Sequence, residues 1–430
     1  MLRKYIQNTI KSEFNRNVLT LVSGTTIAQV ITLLCSLVLS RLYSPGDFGI
    51  FTLFISISSV ISLVLAGRYE LAINLPKTDR EGINVLGFSF KINLIITSIL
   101  FIISIVLYFA FDYLFKENIL LKRWLIFIPF IASFLNLSNI FQNWFIRKKE
   151  FRLISYGKVI NSFVNNGIAI GLGIFAFGAW GIFLGNLLGL VALILFFGVF
   201  FYNKYKKDFN QINKSEMKEL SRRYIDLPKA NSIQSVIDAF QTQGITYLMA
   251  VFFSSTTIGL YAMTLRILQA PISLIISSIT QVFYQKASEQ YCHGIDIRPI
   301  IRKTVLKTLY IALPLIVVAM IFSPVVFAVV FGERWREAGV YARILSPWIF
   351  LDFIRIPISQ VPIIVNKQKT QLFYSLFNNL IVILAMLYAG LIIHNIRTGL
   401  ILISIFQVLY IIGIVLWIYK IAKINTNILK

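Results

Sequence analysis

The sequence has few of the residues from which disulfide frameworks and metal centres are built. Its 430 positions contain two cysteines, two histidines and 18 acidic residues. Cys35 lies in an apolar stretch and Cys292 in a polar one, so the two are predicted to be free thiols. No residues near Cys292 and His293 have the spacing of further metal ligands, and a metal site is therefore not expected there.

Catalytic signatures are also missing from the sequence. It has no P-loop, no nucleophile elbow and no paired-carboxylate motif. We therefore expect neither an enzyme nor a bound cofactor, and no ATP-driven step within this chain.

Apolar residues, in contrast, dominate the composition: 57% of the chain is hydrophobic, 14% is charged, and the mean hydropathy is +0.77. About twelve long apolar stretches alternate with short charged ones between Val18 and Tyr419. A helix of roughly 20 apolar residues crosses a bilayer with its backbone groups paired internally. The pattern predicts an all-α polytopic membrane protein with helices over 18–40, 46–67, 84–110, 124–145, 153–176, 180–202, 231–253, 259–283, 305–331, 341–365, 371–393 and 398–419.

The 41 basic residues are distributed unevenly between the two sets of connecting segments. One set, which includes both termini, carries 29 Lys and Arg, whereas the other carries seven. Cytoplasmic loops collect positive charge, so both termini are predicted to be cytoplasmic. The formal net charge of +23 is therefore interpreted as a topology signal, and no nucleic-acid partner is expected. The opposite loops are short and leave no room for a catalytic domain outside the membrane.

The longest polar segment, 203–230, carries eight Lys and Arg with interspersed apolar residues. This pattern predicts an amphipathic helix that lies on the anionic inner leaflet. It also divides the chain into an N-terminal six-helix lobe (1–203), a cytoplasmic amphipathic linker (204–230) and a C-terminal six-helix lobe (231–430).

Two short turns suggest an internal repeat. Each joins the first two helices of its lobe with the pattern S-x-x-x-x-G-x-aromatic, over 44–51 and again over 254–261, an offset of 210 residues. Chance similarity between short turns is the alternative. A true repeat would make the two lobes parallel copies related by an axis along the membrane normal. In transporters with this arrangement, the substrate cavity lies between the lobes.

Three segments carry a family resemblance: Arg41–Gly49 (RLYSPGDFG), Arg68–Lys77 (RYELAINLPK) and Phe331–Gly339 (FGERWREAG). They resemble the polysaccharide flippases of the Wzx type, which act on O-antigen and capsule repeat units. That family belongs to the multidrug/oligosaccharidyl-lipid/polysaccharide exporter superfamily. The resemblance covers nearly the whole chain and carries no information about the sugar that is moved.

The resemblance implies two six-helix lobes with a central cavity in the bacterial cytoplasmic (inner) membrane. The substrate would be an undecaprenyl-diphosphate-linked oligosaccharide, moved from the inner to the outer leaflet by alternating access. Desolvating a diphosphate and a sugar in hydrocarbon is costly, and a polar, cationic cavity would lower that barrier. Membrane lipids, a polysaccharide polymerase and glycosyltransferases are candidate partners. The alternatives are a multidrug/cation antiporter of the same superfamily and a membrane polysaccharide polymerase.

Ionisable residues within predicted spans are the first site candidates because burying them in a bilayer is expensive. Arg266 is a candidate contact for diphosphate or sugar, or else a structural arginine. Arg355 has the same two interpretations, and Asp352, three residues earlier on the same helical face, is a candidate ion-pair partner. Lys91 would either supply a cation to the cavity or extend to the cytoplasmic surface. Asp238 would either couple transport to an ion gradient by taking up a proton or hydrogen bond within a wet vestibule.

Residues in the N-terminal half complete the candidate set. Arg68 and Glu70, within the second resemblance segment, are predicted to form an interfacial salt bridge or gate, with contact to the ligand as the alternative. Polar amides recur along the fourth and fifth predicted helices, where facing lipid would be unfavourable. Asn139, Asn143 and Asn165 are therefore interpreted either as contacts between helices or as hydrogen-bonding groups for sugar hydroxyls.

Overall fold

The computed structural model describes residues 13–114 and 119–423 of the chain, which are almost entirely helical and contain no β-strand. The α-helices are α1 Glu13–Leu42, α2 Pro45–Ser62, α3 Asp79–Leu114, α4 Ile119–Leu125, α5 Ile128–Arg147, α6 Phe151–Ile174, α7 Ala179–Phe209, α8 Lys214–Arg223, α9 Asp226–Phe252, α10 Ser255–Cys292, α11 Arg298–Phe331, α12 Arg336–Ile358, α13 Val361–Ile364, α14 Gln368–Tyr388 and α15 Ile396–Ile421. Short 3₁₀-helices cover Tyr69–Asn74 and Glu333–Trp335, and a π-helical turn covers Ala389–Ile393.

Twelve of these helices have 18 residues or more, and each overlaps one of the predicted apolar stretches. The predicted fold class is confirmed. Over the residues that the structure describes, eight of the twelve are long and apolar enough to cross a membrane, and the chain is a multi-pass membrane protein. The other four long helices are α5, α6, α9 and α10. Three of them, α5, α6 and α9, line the polar cavity of the candidate site, and the amides and charges that serve it lower their hydropathy.

The chain divides into two compact units. Unit 1 consists of the residues up to Tyr43 together with Ile50–Gln243. Unit 2 consists of Ser44–Gly49 together with the residues from Gly244 onwards. The division therefore falls within two helices, near the start of α2 and in the middle of α9.

Aromatic packing and buried polar networks hold unit 1 together, and one of these networks is centred on Asn136. Phe197 and Trp144 are fully buried in one of the apolar clusters of unit 1. In the Asn136 network, the Asn93 amide donates to Asn136 Oδ1 at 2.9 Å, and the Asn136 amide donates to the Ser62 carbonyl at 2.9 Å. The Ser133 hydroxyl donates to Asn93 Oδ1 at 2.7 Å. These bonds connect α3 and α5 to the end of α2, so here the buried amides serve as contacts between helices.

The amphipathic helix predicted in 203–230 is α8, but its apolar face contacts protein. Met217 and Leu220 are buried, and Leu220 belongs to the same apolar cluster as Ile83 and Leu86 of α3. Asn213 caps the helix by accepting a hydrogen bond from the Ser215 amide. The result differs from the expected surface helix because the α3 core buries the apolar side chains that would have entered the leaflet.

Unit 2 contains both turns of the suspected repeat. Ser44 Oγ accepts a hydrogen bond from the Asp47 amide at 3.2 Å, and Ser254 Oγ accepts one from the Thr257 amide at 3.3 Å. These are matching N-caps at the starts of α2 and α10, separated by the same 210 residues. The remainder of the unit packs α12 against α10, α11 and α15. Gly339 of α12 allows close approach to the backbone at Pro324 of α11.

Candidate functional site

A cavity of about 500 Å³ lies within unit 1 and is the candidate functional site. It is enclosed by α2, α5, α6, α7 and the first part of α9, together with Arg68 from the segment after α2. Its charged and amide-bearing lining residues are Arg68, Lys158, Asp238, Asn139, Gln142, Asn161 and Gln243. The remaining lining residues are small polar or aliphatic ones, so the cavity presents both hydrogen-bonding groups and apolar surface.

Arg68 reaches the cavity from a strained backbone position. Its φ of 60° lies in the left-handed region, directly after Gly67 at φ 57°, which is uncommon for a residue with a side chain. Arg68 Nη1 lies 3.4 Å from Glu70 Oε1. Burial raises the pKa of the Glu70 carboxyl, while the Arg68 charge acts in the opposite direction. The predicted pair is thus present in the structure, and Arg68 is also part of the cavity wall.

Two atoms of this pair remain unsatisfied within the described part of the chain. Arg68 Nε and Glu70 Oε2 are buried without a hydrogen-bond partner there. Unpaired buried polar atoms are costly and call for an explanation such as a ligand or a change of state. This is the pattern expected of a site whose hydrogen bonds are completed by something else.

Lys158 and Asn161 of α6 form the next part of the wall. Lys158 Nζ donates to Thr25 Oγ1 of α1 at 3.0 Å, and among the described residues no carboxylate lies within salt-bridge distance of it. Asn161 Oδ1 is buried and without a hydrogen-bond partner in the described residues. The wall therefore offers a second cation and a free amide oxygen one helical turn apart.

Asp238 of α9 is the carboxylate among the described residues that line the cavity. Ser235, three residues before Asp238, and Thr242, four residues after it, also line the cavity, as expected for one face of a helix. Further along α9, Gln243 accepts a hydrogen bond from Ser56 Oγ of α2 at 2.9 Å. In the wet-vestibule interpretation, Asp238 would hydrogen bond with Gln241 or Gln234, whose side chains lie outside the described residues.

The predicted amides take three different positions. Asn139 lines the cavity, and its side chain makes no hydrogen bond to any described residue. Asn143 lies one turn further along α5 and accepts a hydrogen bond from the Asn74 amide at 3.1 Å. Asn165 lies where α6 meets α7, because a Cβ at Gly185 would be 2.6 Å from the Asn165 carbonyl oxygen. The structure thus places Asn139 at the cavity and the other two in contacts between segments.

The remaining three candidate residues are not among those that line this cavity. Lys91 of α3 is exposed and does not line it. Arg355 of α12, in unit 2, forms a salt bridge with Asp352. Arg266 of α10, also in unit 2, is partly buried and has an interaction partner of its own. Of the nine predicted residues, the cavity brings together Arg68, Asn139 and Asp238.

Gln142 and Asn161 belong to the recurring amides of the fourth and fifth predicted helices, whereas Lys158 is not among the site candidates taken from the sequence. Lys158 lies close to the start of its helix, so the sequence accounts for it as one of the positive charges on the predicted cytoplasmic side. Lys158 and Asn161 are three residues apart and therefore lie on one helical face. This spacing is the sequence signal that points to Lys158 as part of the site.

The fold of the chain is similar to that of known membrane transporters. One similar structure is the inward-facing conformation of a multidrug resistance MATE family transporter of the MOP superfamily, with a TM-score of 0.67 and 16% identity over 95% of this chain and 96% of that one. The outward-facing conformation of such a transporter gives a TM-score of 0.62 and 16% identity over 94% and 95% of the two chains. A MOP superfamily transporter from Pyrococcus furiosus, whose binding pocket is described as having reverse polarity, gives 0.61 and 15% over 95% and 96%. At these identities, the comparisons establish the fold.

The family follows from the sequence itself. Residues 38–340 match the family model described as polysaccharide biosynthesis protein. Because this match spans well over half of the chain, the chain belongs to that family, and the resemblance identified above is confirmed. A search of curated proteins found no sequence match.

Proposed function

We propose that this protein moves an undecaprenyl-diphosphate-linked oligosaccharide from the inner to the outer leaflet of the bacterial cytoplasmic membrane by alternating access. The observation that carries the proposal is the composition of the unit 1 cavity, which combines two cations with a cluster of amides. Arg68 and Lys158 suit the diphosphate, since cationic donors form strong hydrogen bonds to phosphate oxygens. Asn139, Gln142 and Asn161 suit sugar hydroxyls, which both donate and accept hydrogen bonds.

The family membership supports the same substrate class, because a polysaccharide biosynthesis protein with a transporter fold would act on a membrane-bound glycan intermediate. In this proposal the polyprenyl tail stays in the lipid, and the cavity needs to enclose only the polar headgroup. Both termini would be cytoplasmic. Glycosyltransferases would supply the lipid-linked unit, and a polymerase would consume it.

Asp238 favours a second candidate function, a cation or multidrug antiporter. A carboxylate in the cavity can hold an organic cation, and the solved relatives include multidrug transporters. The two functions make opposite predictions about protons. A carboxylate beside an anionic diphosphate is less repulsive when it is protonated, so proton and substrate would bind together. A cationic drug and a proton would instead compete for Asp238, and by reciprocity each would weaken the other.

Deleting the gene tests the proposed activity. We expect single lipid-linked repeat units to accumulate on the cytoplasmic leaflet and surface polysaccharide to be lost. Accumulation of unpolymerised units on the outer leaflet would show that translocation is intact and would contradict the proposal. Unchanged lipid-linked glycan with new sensitivity to cationic drugs would support the antiporter.

The proton relationship tests Asp238 directly. Binding of an undecaprenyl-diphosphate-linked glycan to the purified protein should strengthen as pH falls, and Asp238→Asn should bind at the acidic strength across the whole range. Ser235→Ala, on the same cavity face of α9, is the control and should keep the pH dependence. Weaker glycan binding at low pH, or a variant whose pH dependence equals that of the wild type, would remove Asp238 from the proposed coupling.

A further inference from the structure

A second cavity, in unit 2, lies apart from the residues assigned above. It is a groove of about 620 Å³ between the last turns of α10 and the first turns of α11. Lys286 of α10 and Lys303 and Lys307 of α11 contribute its charges. Lys303 and Lys307 are four residues apart and therefore share one helical face. The groove shares no lining residue with the unit 1 cavity.

The three lysines of the groove are exposed, and among the described residues none has a carboxylate within salt-bridge distance. Asp296 lines a smaller cavity next to the groove, but it is held by Arg298, whose Nε lies 2.8 Å from Asp296 Oδ2. That neighbouring cavity also contains Arg302 and shares Lys303. The start of α11 adds the partial positive charge of a helix N-terminus. The groove thus concentrates positive charge that the described residues do not neutralise.

The other end of the groove is apolar. Ile279, Val282 and Phe283 line it from α10, and Ile279 precedes Lys286 by seven residues, or about 10 Å along the helix. Beyond the lysines, α11 continues with exposed apolar residues such as Tyr310, Leu313 and Val317. A cationic end followed by an apolar channel of this length matches the headgroup and upper acyl chains of a lipid.

We propose that this groove binds an anionic glycerophospholipid, with the lipid phosphate between Lys286, Lys303 and Lys307 and an acyl chain along Ile279 and Phe283. Basic pockets between membrane helices on the cytoplasmic side are suited to acidic lipid headgroups, and the predicted topology places this end of α10 and α11 there. Free phosphate would leave the apolar half of the groove uncovered. Among the described lining residues of the groove, Gln290 is the one amide, whereas the unit 1 cavity has four.

The test measures lipid retained by the full-length protein in native mass spectrometry, after exchange into mixed phosphatidylglycerol and phosphatidylcholine. The wild type should retain phosphatidylglycerol selectively. The triple variant Lys286→Gln, Lys303→Gln, Lys307→Gln should lower its affinity about tenfold or more, since each lysine near an anionic lipid contributes appreciably. The matched control changes Lys207, Lys214 and Lys218 to Gln, which removes the same charge from exposed positions of unit 1 and should change the affinity less than twofold.

A second variant tests the groove without removing a lysine. Val282→Glu places a carboxylate in the groove at an exposed position and should weaken phosphatidylglycerol binding, whereas Val282→Leu should not. Equal retention of phosphatidylcholine, or equal losses in the groove and control triple variants, would overturn the proposal. Displacement of the lipid by millimolar inorganic phosphate or preferentially by undecaprenyl diphosphate would also overturn it, because the site would then be a phosphate site or part of the transport path.

Discussion

Gly49 and Gly259 meet in a reciprocal contact within unit 2. A Cβ built on Gly49 would lie 1.7 Å from the Ser255 carbonyl oxygen, and one built on Gly259 would lie 1.8 Å from the Pro45 carbonyl oxygen. Pro45 and Ser255 are themselves 210 residues apart, as are the two glycines. The first turns of α2 and α10 therefore touch through equivalent backbone atoms, and their N-caps are equivalent as well. Chance similarity of two turns does not explain such symmetry, and an internal repeat does.

This contact predicts that neither glycine tolerates a side chain. Gly49→Ala and Gly259→Ala should each lower the thermal unfolding midpoint of the purified protein by several degrees, because the backbones must separate to admit a methyl group. Gly198→Ala in α7 is the control, since nothing lies within 4 Å of its Cβ position. There the better helix propensity of alanine should leave stability equal or raise it by up to about 1 kcal/mol. A midpoint for Gly49→Ala as high as that of the control would contradict the close contact.

The salt bridge between Arg355 and Asp352 predicts that their substitutions are not additive. The two side chains are 29% and 27% exposed, so removing one partner leaves a partly buried charge without its counterion. Arg355→Met and Asp352→Leu should each destabilise the protein more than the double variant does, measured as unfolding midpoints in one detergent. We also expect the double variant to retain transport. Transport lost in Arg355→Met and equally in the double variant would instead identify Arg355 as a substrate contact.

The packing of α8 on α3 predicts protection of the 204–230 segment from proteases. Leu220 is 3% exposed, and Leu220→Asp would place a charge in the apolar cluster that holds the helix. Trypsin should then cleave at Arg222 and Arg223 at least several times faster than in the wild type. Lys218→Asp introduces the same side chain at an exposed position of the same helix and should not accelerate cleavage at those arginines. Equal cleavage rates for both variants would indicate that α8 is held by charge alone.

The Asp296–Arg298 contact predicts a pH-dependent contribution to stability. Hydrogen bonds from Arg298 hold the pKa of the Asp296 carboxyl below its ordinary value. For a lowered carboxyl pKa, the stabilisation is complete above the unfolded-state value of about 3.9 and is lost as pH falls through the folded-state value. Asp296→Asn should therefore lower the unfolding midpoint at pH 7, and the difference from the wild type should shrink as pH falls below about 3.9. A difference that stays constant between these pH values would assign the effect to packing.

Local patterns explain how the helices could be predicted without the structure. Hydrophobic stretches of about 20 residues and the turn at Ser44–Gly49 are readable along the chain, because each depends on neighbouring residues. Hydropathy alone, over the residues that the structure describes, finds eight long helices, and α5, α6 and α9 fall short because of their polar residues. The alternation of apolar and charged segments along the sequence nevertheless predicts all twelve long helices.

The candidate site was predictable only in part. Asn139 and Asp238 stand out as polar residues in apolar stretches, and both line the cavity. Asn165 had the same sequence signal, yet it lies against α7, where Gly185 and Gly189 leave room for it. Lys158 had a weaker signal, yet it forms part of the cavity wall. The direction that each side chain faces depends on which helix packs beside it, and that partner can be more than 100 residues away.

The sequence by itself determined the membrane class, the number of long helices, the repeat pattern and the family, because these depend on composition, periodicity and short motifs. Tertiary structure alone decided which polar groups share the unit 1 cavity, that the apolar face of α8 is covered by protein, and that three lysines of α10 and α11 surround one groove. The physical reason is that burial and charge proximity are properties of packed neighbours. Burial and charge proximity therefore follow from the sequence only once the complete fold is known.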